Sequence, residues 1–147
     1  MAEVTIRSAR LSDFDSVYTF VCELEEQQFD KETLRPLFAN CLEKENHIYL
    51  IAETDGVPVG HISCHGQILL HHCGWVYEIE ELYVMPEHRN KKIGAALLSA
   101  VENALQGKTC VSLEVASNMR RKNAHAFYEA NGFDKTSYKF VKQPETN

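Results

Sequence analysis

Glu78-Ile79-Glu80-Glu81-Leu82-Tyr83-Val84-Met85-Pro86-Glu87-His88-Arg89-Asn90-Lys91-Lys92-Ile93-Gly94-Ala95-Ala96-Leu97-Leu98 is the stretch whose reading decides the fold. Residues 75–85 are rich in β-branched, aromatic and apolar side chains, which suits a mostly buried strand. Pro86 has no N–H for a ladder and ends it. From Lys92 onward, Ile93, Ala96, Leu97, Ala100, Val101, Ala104 and Leu105 recur at three and four residues, the pattern of a helix with one apolar face. Between strand and helix, Arg89, Lys91 and Lys92 crowd a short loop that closes on Gly94. The first amides of a helix lack carbonyl partners, and the helix dipole adds positive potential at that end. Such a loop suits an anion, and a phosphate in particular.

Composition bounds the rest. A chain of 147 residues with 44% hydrophobic and 24% charged residues is read as one globular domain over 1–147. The formal net charge of −6 argues against a general nucleic-acid binder and makes the three cations of the loop stand out. Cys22, Cys41, Cys64, Cys73 and Cys110 are scattered and contain no Cys-x-x-Cys, so they read as reduced thiols of a cytoplasmic protein. No signal peptide precedes Val4, and no apolar run approaches the roughly 20 residues that span a bilayer, so no membrane partner is expected.

In chain order, residues 4–9 alternate as a first strand, and Ser12 or Asp13 then caps a helix carrying Phe14, Val17, Tyr18, Val21 and Leu24. Asp30 opens a second helix with Leu34, Leu37, Phe38, Cys41 and Leu42 on one face. Residues 47–54 and 58–70 form two strands joined by Asp55-Gly56, a strong hairpin signal. The helix from Lys92 stops near Gly107, residues 109–116 form a buried strand, and a last helix ends at Gly132 before a strand at Phe133.

Residues 84–98 resemble the acyl-CoA signature of the GNAT superfamily of N-acetyltransferases, Arg/Gln-x-x-Gly-x-Gly/Ala, written here as Arg89-x-x-Lys92-x-Gly94 with lysine in place of the first glycine. A second superfamily pattern, Ala-x-x-Phe-Tyr-x-x-x-Gly-Phe, stands intact from Ala124 through Phe127, Tyr128 and Gly132 to Phe133, although the asparagine often found seven residues before the tyrosine is Arg121. The resemblance spans essentially the whole chain. It implies an α/β (α+β) GNAT fold: a mixed central sheet of six to seven strands flanked by about four helices, with splayed strands binding acetyl-CoA. It also implies that the backbone at Leu82, Tyr83 and Val84 holds the pantetheine and acetyl group. Arg89, Asn90, Lys91, Lys92, Ile93, Gly94 and Ala95 would hold the pyrophosphate, with Asn123 and Tyr128 as further CoA contacts.

Attack of an amine on a thioester needs a proton acceptor, oxyanion donors and an acid for the leaving thiolate. Tyr128 is the acid candidate, since a phenol of pKa about 10 beside a thiolate of pKa about 8.5 donates a hydrogen bond to the developing charge. Glu78 is the base candidate and Glu80 the second choice. Under strict alternation Glu78, Glu80, Leu82 and Val84 share one side of the strand, and Glu81 and Tyr77 the other.

Within the superfamily the chain is similar to bacterial aminoalkylphosphonate N-acetyltransferases, through Leu69-Leu70-His71-His72, Trp75, Glu78, the Phe127-Tyr128 helix and, near the start, Val21-Cys22-Glu23-Leu24 and Phe29-Asp30. That likeness implies a small-molecule amine as partner, bearing a phosphonate that Arg35 and Lys142 would meet, while Lys31, Glu25 and Glu26 read as solvated helix faces. It raises a divalent metal as an option; His65, His71, His72 and Glu78 are imaginable ligands, but without metal spacing they read as polar strand residues, and no metal site is assigned. A homodimer is expected only by analogy with the superfamily. The alternatives are an acetyltransferase acting on amino acids, polyamines or a protein N-terminus, and a non-catalytic CoA-binding module. One that acts on charged tRNA is disfavoured by the acidic charge.

Overall fold

Alternation of Val4 and Ile6 with Thr5 and Arg7 produces β1 (Val4–Ser8), as the pattern predicts. The computed structural model describes residues 3–145. It divides into two units, Met1–Val115 and Ala116–Asn147.

In the first unit, α1 (Phe14–Glu25) and α2 (Lys31–Glu43) follow β1. Asp30 caps α2, its carboxylate accepting the Thr33 N–H at 2.9 Å. Asp13 occupies the N-cap position of α1 without capping it. Its carboxylate instead accepts the Arg10 N–H at 2.7 Å and a two-pronged bond from Arg7, Nη1 and Nη2 each at 2.8 Å. The hairpin of β2 (His47–Thr54) and β3 (Val57–Leu69) turns on Asp55 and Gly56, whose φ values of 51° and 75° are the paired positive angles that such a two-residue turn requires. β4 (Gly74–Val84), α3 (Ile93–Leu105) and β5 (Ser112–Val115) complete the unit.

The strands lie in the order β1-β2-β3-β4-β5; from β1 to β4 each strand is antiparallel to its neighbour, and β5 runs parallel to β4. Phe14, Val17 and Phe38 from α1 and α2 pack on Ile51 on one face of this sheet. Phe20 adds ring contacts with His61 (centroids 5.9 Å apart) and Tyr83 (5.5 Å) on that face. The other face carries Ile48, Ala52, Ile62, Cys64, Tyr77 and Ile79, all buried, and α3 covers it with Ile93, Leu97, Leu98, Val101 and Leu105.

The expected six to seven strands are corrected to five among the described residues. The missing ones fall after the last helix, α4 (Lys122–Ala130), where residues 133–145 form neither helix nor strand. Tyr138 and Phe140 alternate there as strand residues do, but they stand 84% and 93% exposed. Alternation supplies a face; it does not supply a neighbouring ladder, and without one the segment forms no strand. Within this second unit Tyr128 packs edge-on against Phe127 and Phe133, with centroids 5.4 and 5.6 Å away. The Phe133 N–H closes the helix end on the Tyr128 carbonyl at 3.0 Å.

Candidate active site

β4 carries the central feature of the first unit. Its register against β3 runs His61↔Tyr83, Ile62↔Leu82, Ser63↔Glu81, then Cys64↔Ile79 and His65↔Glu78, so Glu80 is an extra residue and forms a β-bulge. Directly paired residues share a face. Glu78 therefore lies with Glu81 and Tyr83 on the α1–α2 side, together with His61, Ser63 and His65. Leu82 and Val84 lie on the α3 side with Tyr77 and Ile79. This corrects the strict alternation that grouped Glu78 with Glu80, Leu82 and Val84, because one inserted residue reverses the phase of everything beyond it. Glu80 itself is exposed.

Glu78 is half-buried and stands across from His65 on one side and Glu114 on the other. Glu81, which the sequence reading set aside, has the more elaborate surroundings. The Ser63 hydroxyl donates to its carboxylate and accepts the Glu81 N–H at 3.1 Å, and His61 Nε2 lies 3.8 Å from its Oε1. Burial pushes the Glu81 carboxyl up, but the His61 ring and the Ser63 hydroxyl outweigh it and hold the group below the usual carboxylate range. The signal for this cluster in the sequence is His61-x-Ser63-x-His65, polar residues at every second position of an otherwise apolar strand.

The same strand opens on its other edge. β4 pairs with β5 only from Val76 to Ile79, and β5 ends at Val115. Residues 80–84 continue along β3 with no strand on the far side among the described residues. Backbone groups along such an edge need partners, and a bound extended chain can provide them. Leu82, Tyr83 and Val84 enter this edge through their main chains; the Tyr83 ring itself is buried toward α1.

Immediately beyond, a 3-10 turn over Pro86–His88 leads into the basic loop. The Arg89 Nε–H donates to the Val84 carbonyl at 2.8 Å, and its guanidinium lies 5.4 Å from the Tyr83 ring, which anchors the loop to the strand end. Asn90 and Lys92 both take left-handed backbone conformations with φ of 63°. Asparagine tolerates that region; lysine does so at a cost. Lys92 thus holds a backbone conformation that glycine adopts freely. Ala96 is the first amide of α3 to find a carbonyl in the turn, that of Lys92 at 3.1 Å, so the amides of Ile93, Gly94 and Ala95 project from the helix end. No side chain caps that end. Ile93 contributes only its amide, since its side chain is buried in the core. Arg89, Lys91 and Lys92 remain exposed around these donors.

Arg35 lies on α2, where its Nη2 meets the Glu32 carboxylate at 3.2 Å and its guanidinium covers the Phe14 ring at 4.7 Å. In the second unit, burial pushes the Tyr128 phenol up while Arg121 pulls it partly back, so the hydroxyl stays protonated across the neutral range. Asn123 is exposed in the first turn of α4, and Lys142 is exposed in the segment that follows it.

Residues 12–133 match the sequence profile of the Acetyltransferase (GNAT) family. The chain is 38% identical over 137 residues to an aminoalkylphosphonate N-acetyltransferase of Salmonella typhimurium, an alignment spanning 93% of this chain and 89% of that protein. The fold is similar to that of aminoglycoside N-acetyltransferase AAC(6')-Iy in complex with CoA (TM-score 0.87, 17% identity, 99% of this chain and 97% of that one). It is also similar to a transcriptional regulator from Bacillus halodurans (TM-score 0.85, 21% identity, 97% of this chain and 100% of that one). No helix among the described residues is long and apolar enough to cross a membrane.

Proposed function

The chain belongs to the acetyltransferase (GNAT) family and is an N-acetyltransferase, and we propose that it transfers the acetyl group of acetyl-CoA to the primary amine of a small aminoalkylphosphonate. The observation that carries the donor half is the open edge of β4 running straight into the uncapped, cation-ringed start of α3. An extended pantetheine pairs along such an edge, and a pyrophosphate fits the helix start beside Arg89, Lys91 and Lys92. The acceptor half rests on the aminoalkylphosphonate relative and its 38% identity over most of both chains.

In this reading the neutral amine attacks the thioester carbonyl, and main-chain N–H groups near Leu82 to Val84 stabilise the oxyanion. Glu78 takes the ammonium proton, directly or through water, and Tyr128 donates a proton to the departing CoA thiolate. Arg35 and Lys142 are the cations assigned to the phosphonate; Arg35 would exchange its exposed bond to Glu32 for the ligand. The lysine at position 92 and the arginine at 121 would suit a non-catalytic CoA-binding module, and the presence of Glu78 and Tyr128 speaks against that reading.

The test is release of free thiol from acetyl-CoA across aminomethyl- and 2-aminoethylphosphonate, amino acids, polyamines and a short peptide. The aminophosphonates should give kcat/KM at least tenfold above every other amine. A higher value for any other class would transfer the acceptor assignment to that class, and absence of turnover with acetyl-CoA still bound would leave a binding module.

A further inference from the structure

Face-sharing across the sheet places one cluster that the acetyl-transfer reading does not use. Cys41 in the last turn of α2, His47 at the start of β2 and His65 opposite it on β3 bring one ligand atom each to within 4.8 Å of one another. The two imidazoles are stacked face to face, centroids 3.7 Å apart and planes 2° from parallel. His47 Nδ1 is buried with no hydrogen-bond partner among the described residues. An unpartnered buried nitrogen beside a thiol and a second imidazole is an incomplete polar site, and a cation completes it. The Tyr49 hydroxyl meets His65 Nε2 at 2.7 Å and holds that ring in place.

We propose that Cys41, His47 and His65 form a binding site for one transition-metal ion of the zinc class, between the end of α2 and the paired strands β2 and β3. One thiolate and two imidazoles select zinc, cobalt or copper over magnesium and calcium, which prefer oxygen. All three residues are half-buried, so an ion has a path in. A tetrahedral ion sets its ligand atoms roughly 3.5 Å apart, so the cluster must tighten by about 1 Å. In the stack the ring lone pairs lie in two parallel planes and cannot converge on one ion; one imidazole must therefore turn about its Cβ–Cγ bond, a broad torsion.

The test is titration of the chelator-treated full-length protein with Co2+. The expected result is one Co2+ per chain with a thiolate-to-cobalt charge-transfer band, displaced by equimolar Zn2+, abolished in Cys41→Ser and retained in Cys73→Ser, the exposed cysteine. His65→Gln should weaken binding at least tenfold. No charge-transfer band, or a band lost with Cys73 rather than Cys41, would overturn the site; binding without a thiolate band would assign the ion to the His71–His72 pair instead. Should Cys41→Ser fail to fold, alkylation mapping of the wild-type protein decides. Zn2+ should slow modification of Cys41 at least tenfold, and equal rates with and without Zn2+ would refute the proposal.

Discussion

Glu78 and Glu81 now share a face, and the choice of base turns on how each is held. Glu81 is engaged by Ser63 and lies near His61, which suits a positioning or structural carboxylate, whereas Glu78 lies half-buried across from His65 and Glu114. Glu78→Gln should flatten the rise of kcat/KM with pH on its acidic side, while Glu81→Gln should keep the profile's shape and lower stability instead. Tyr128→Phe should lower kcat by more than tenfold with CoA binding retained. Steady-state profiles of the three variants check this; a flattened acidic limb in Glu81→Gln alone would move the base to Glu81. Glu78 and Tyr128 stand out in the sequence as candidates through their surroundings, and their roles as base and acid are what these variants test. The engagement of Glu81 by Ser63 was not legible, because apolar and acidic residues in 78–84 fit a flat strand and a bulged one equally well.

Elements were easier to read than sites. The strand over His47–Thr54, its Asp55-Gly56 turn, the Asp30 cap and the strand-loop-helix passage into α3 follow from local rules of alternation, capping and periodicity, and each formed where those rules place it. What failed lay beyond local rules: residues 133–145 need a ladder from elsewhere to become a strand. The basic loop stands between these cases, since its composition was plain but the conformation of Lys92 was open. A left-handed lysine costs about 1–2 kcal/mol, partly offset in glycine by its greater freedom when unfolded. Lys92→Gly should therefore raise stability by about 0.5–1 kcal/mol in urea unfolding, while KM for acetyl-CoA rises modestly through loss of one exposed cation. A destabilised variant would show that lysine meets no strain there.

At the scale of the whole chain, stability is tied to one part-buried ionic cluster. Arg7 on β1 reaches Asp13 before α1 and Glu53 on β2, the latter through Nε at 3.0 Å, so three segments meet at one guanidinium. The Arg7 fork chiefly, and the Arg10 amide with it, hold the Asp13 carboxyl below its ordinary value against the cost of burial. A carboxyl depressed in the folded state contributes stability that is full above its unfolded pKa of about 4 and is lost as pH falls through the folded value. Asp13→Asn should thus cost about 2 kcal/mol near neutrality, because it removes the charge from a two-pronged bond to a part-buried guanidinium that keeps Glu53, and the cost should shrink toward pH 2. Urea midpoints measured along a pH series check it; a cost that does not change with pH would mean that shape rather than charge holds the segments. The Cys41, His47 and His65 cluster at the end of α2 belongs to this scale as well, for the register of β2 against β3 is what brings His65 to His47.

The bulge at Glu80 has a genetic consequence. Ile79 and Glu81 already face opposite sides, so deleting the single codon for Glu80 would return β4 to strict alternation with every remaining side chain on the face it now occupies. The inside–outside code of the core is indifferent to that residue. What the extra residue adds is a bend, placed where β4 leaves β5 behind. In this strand the opening is an insertion layered over an intact sheet, written in the number of residues and not in their kind.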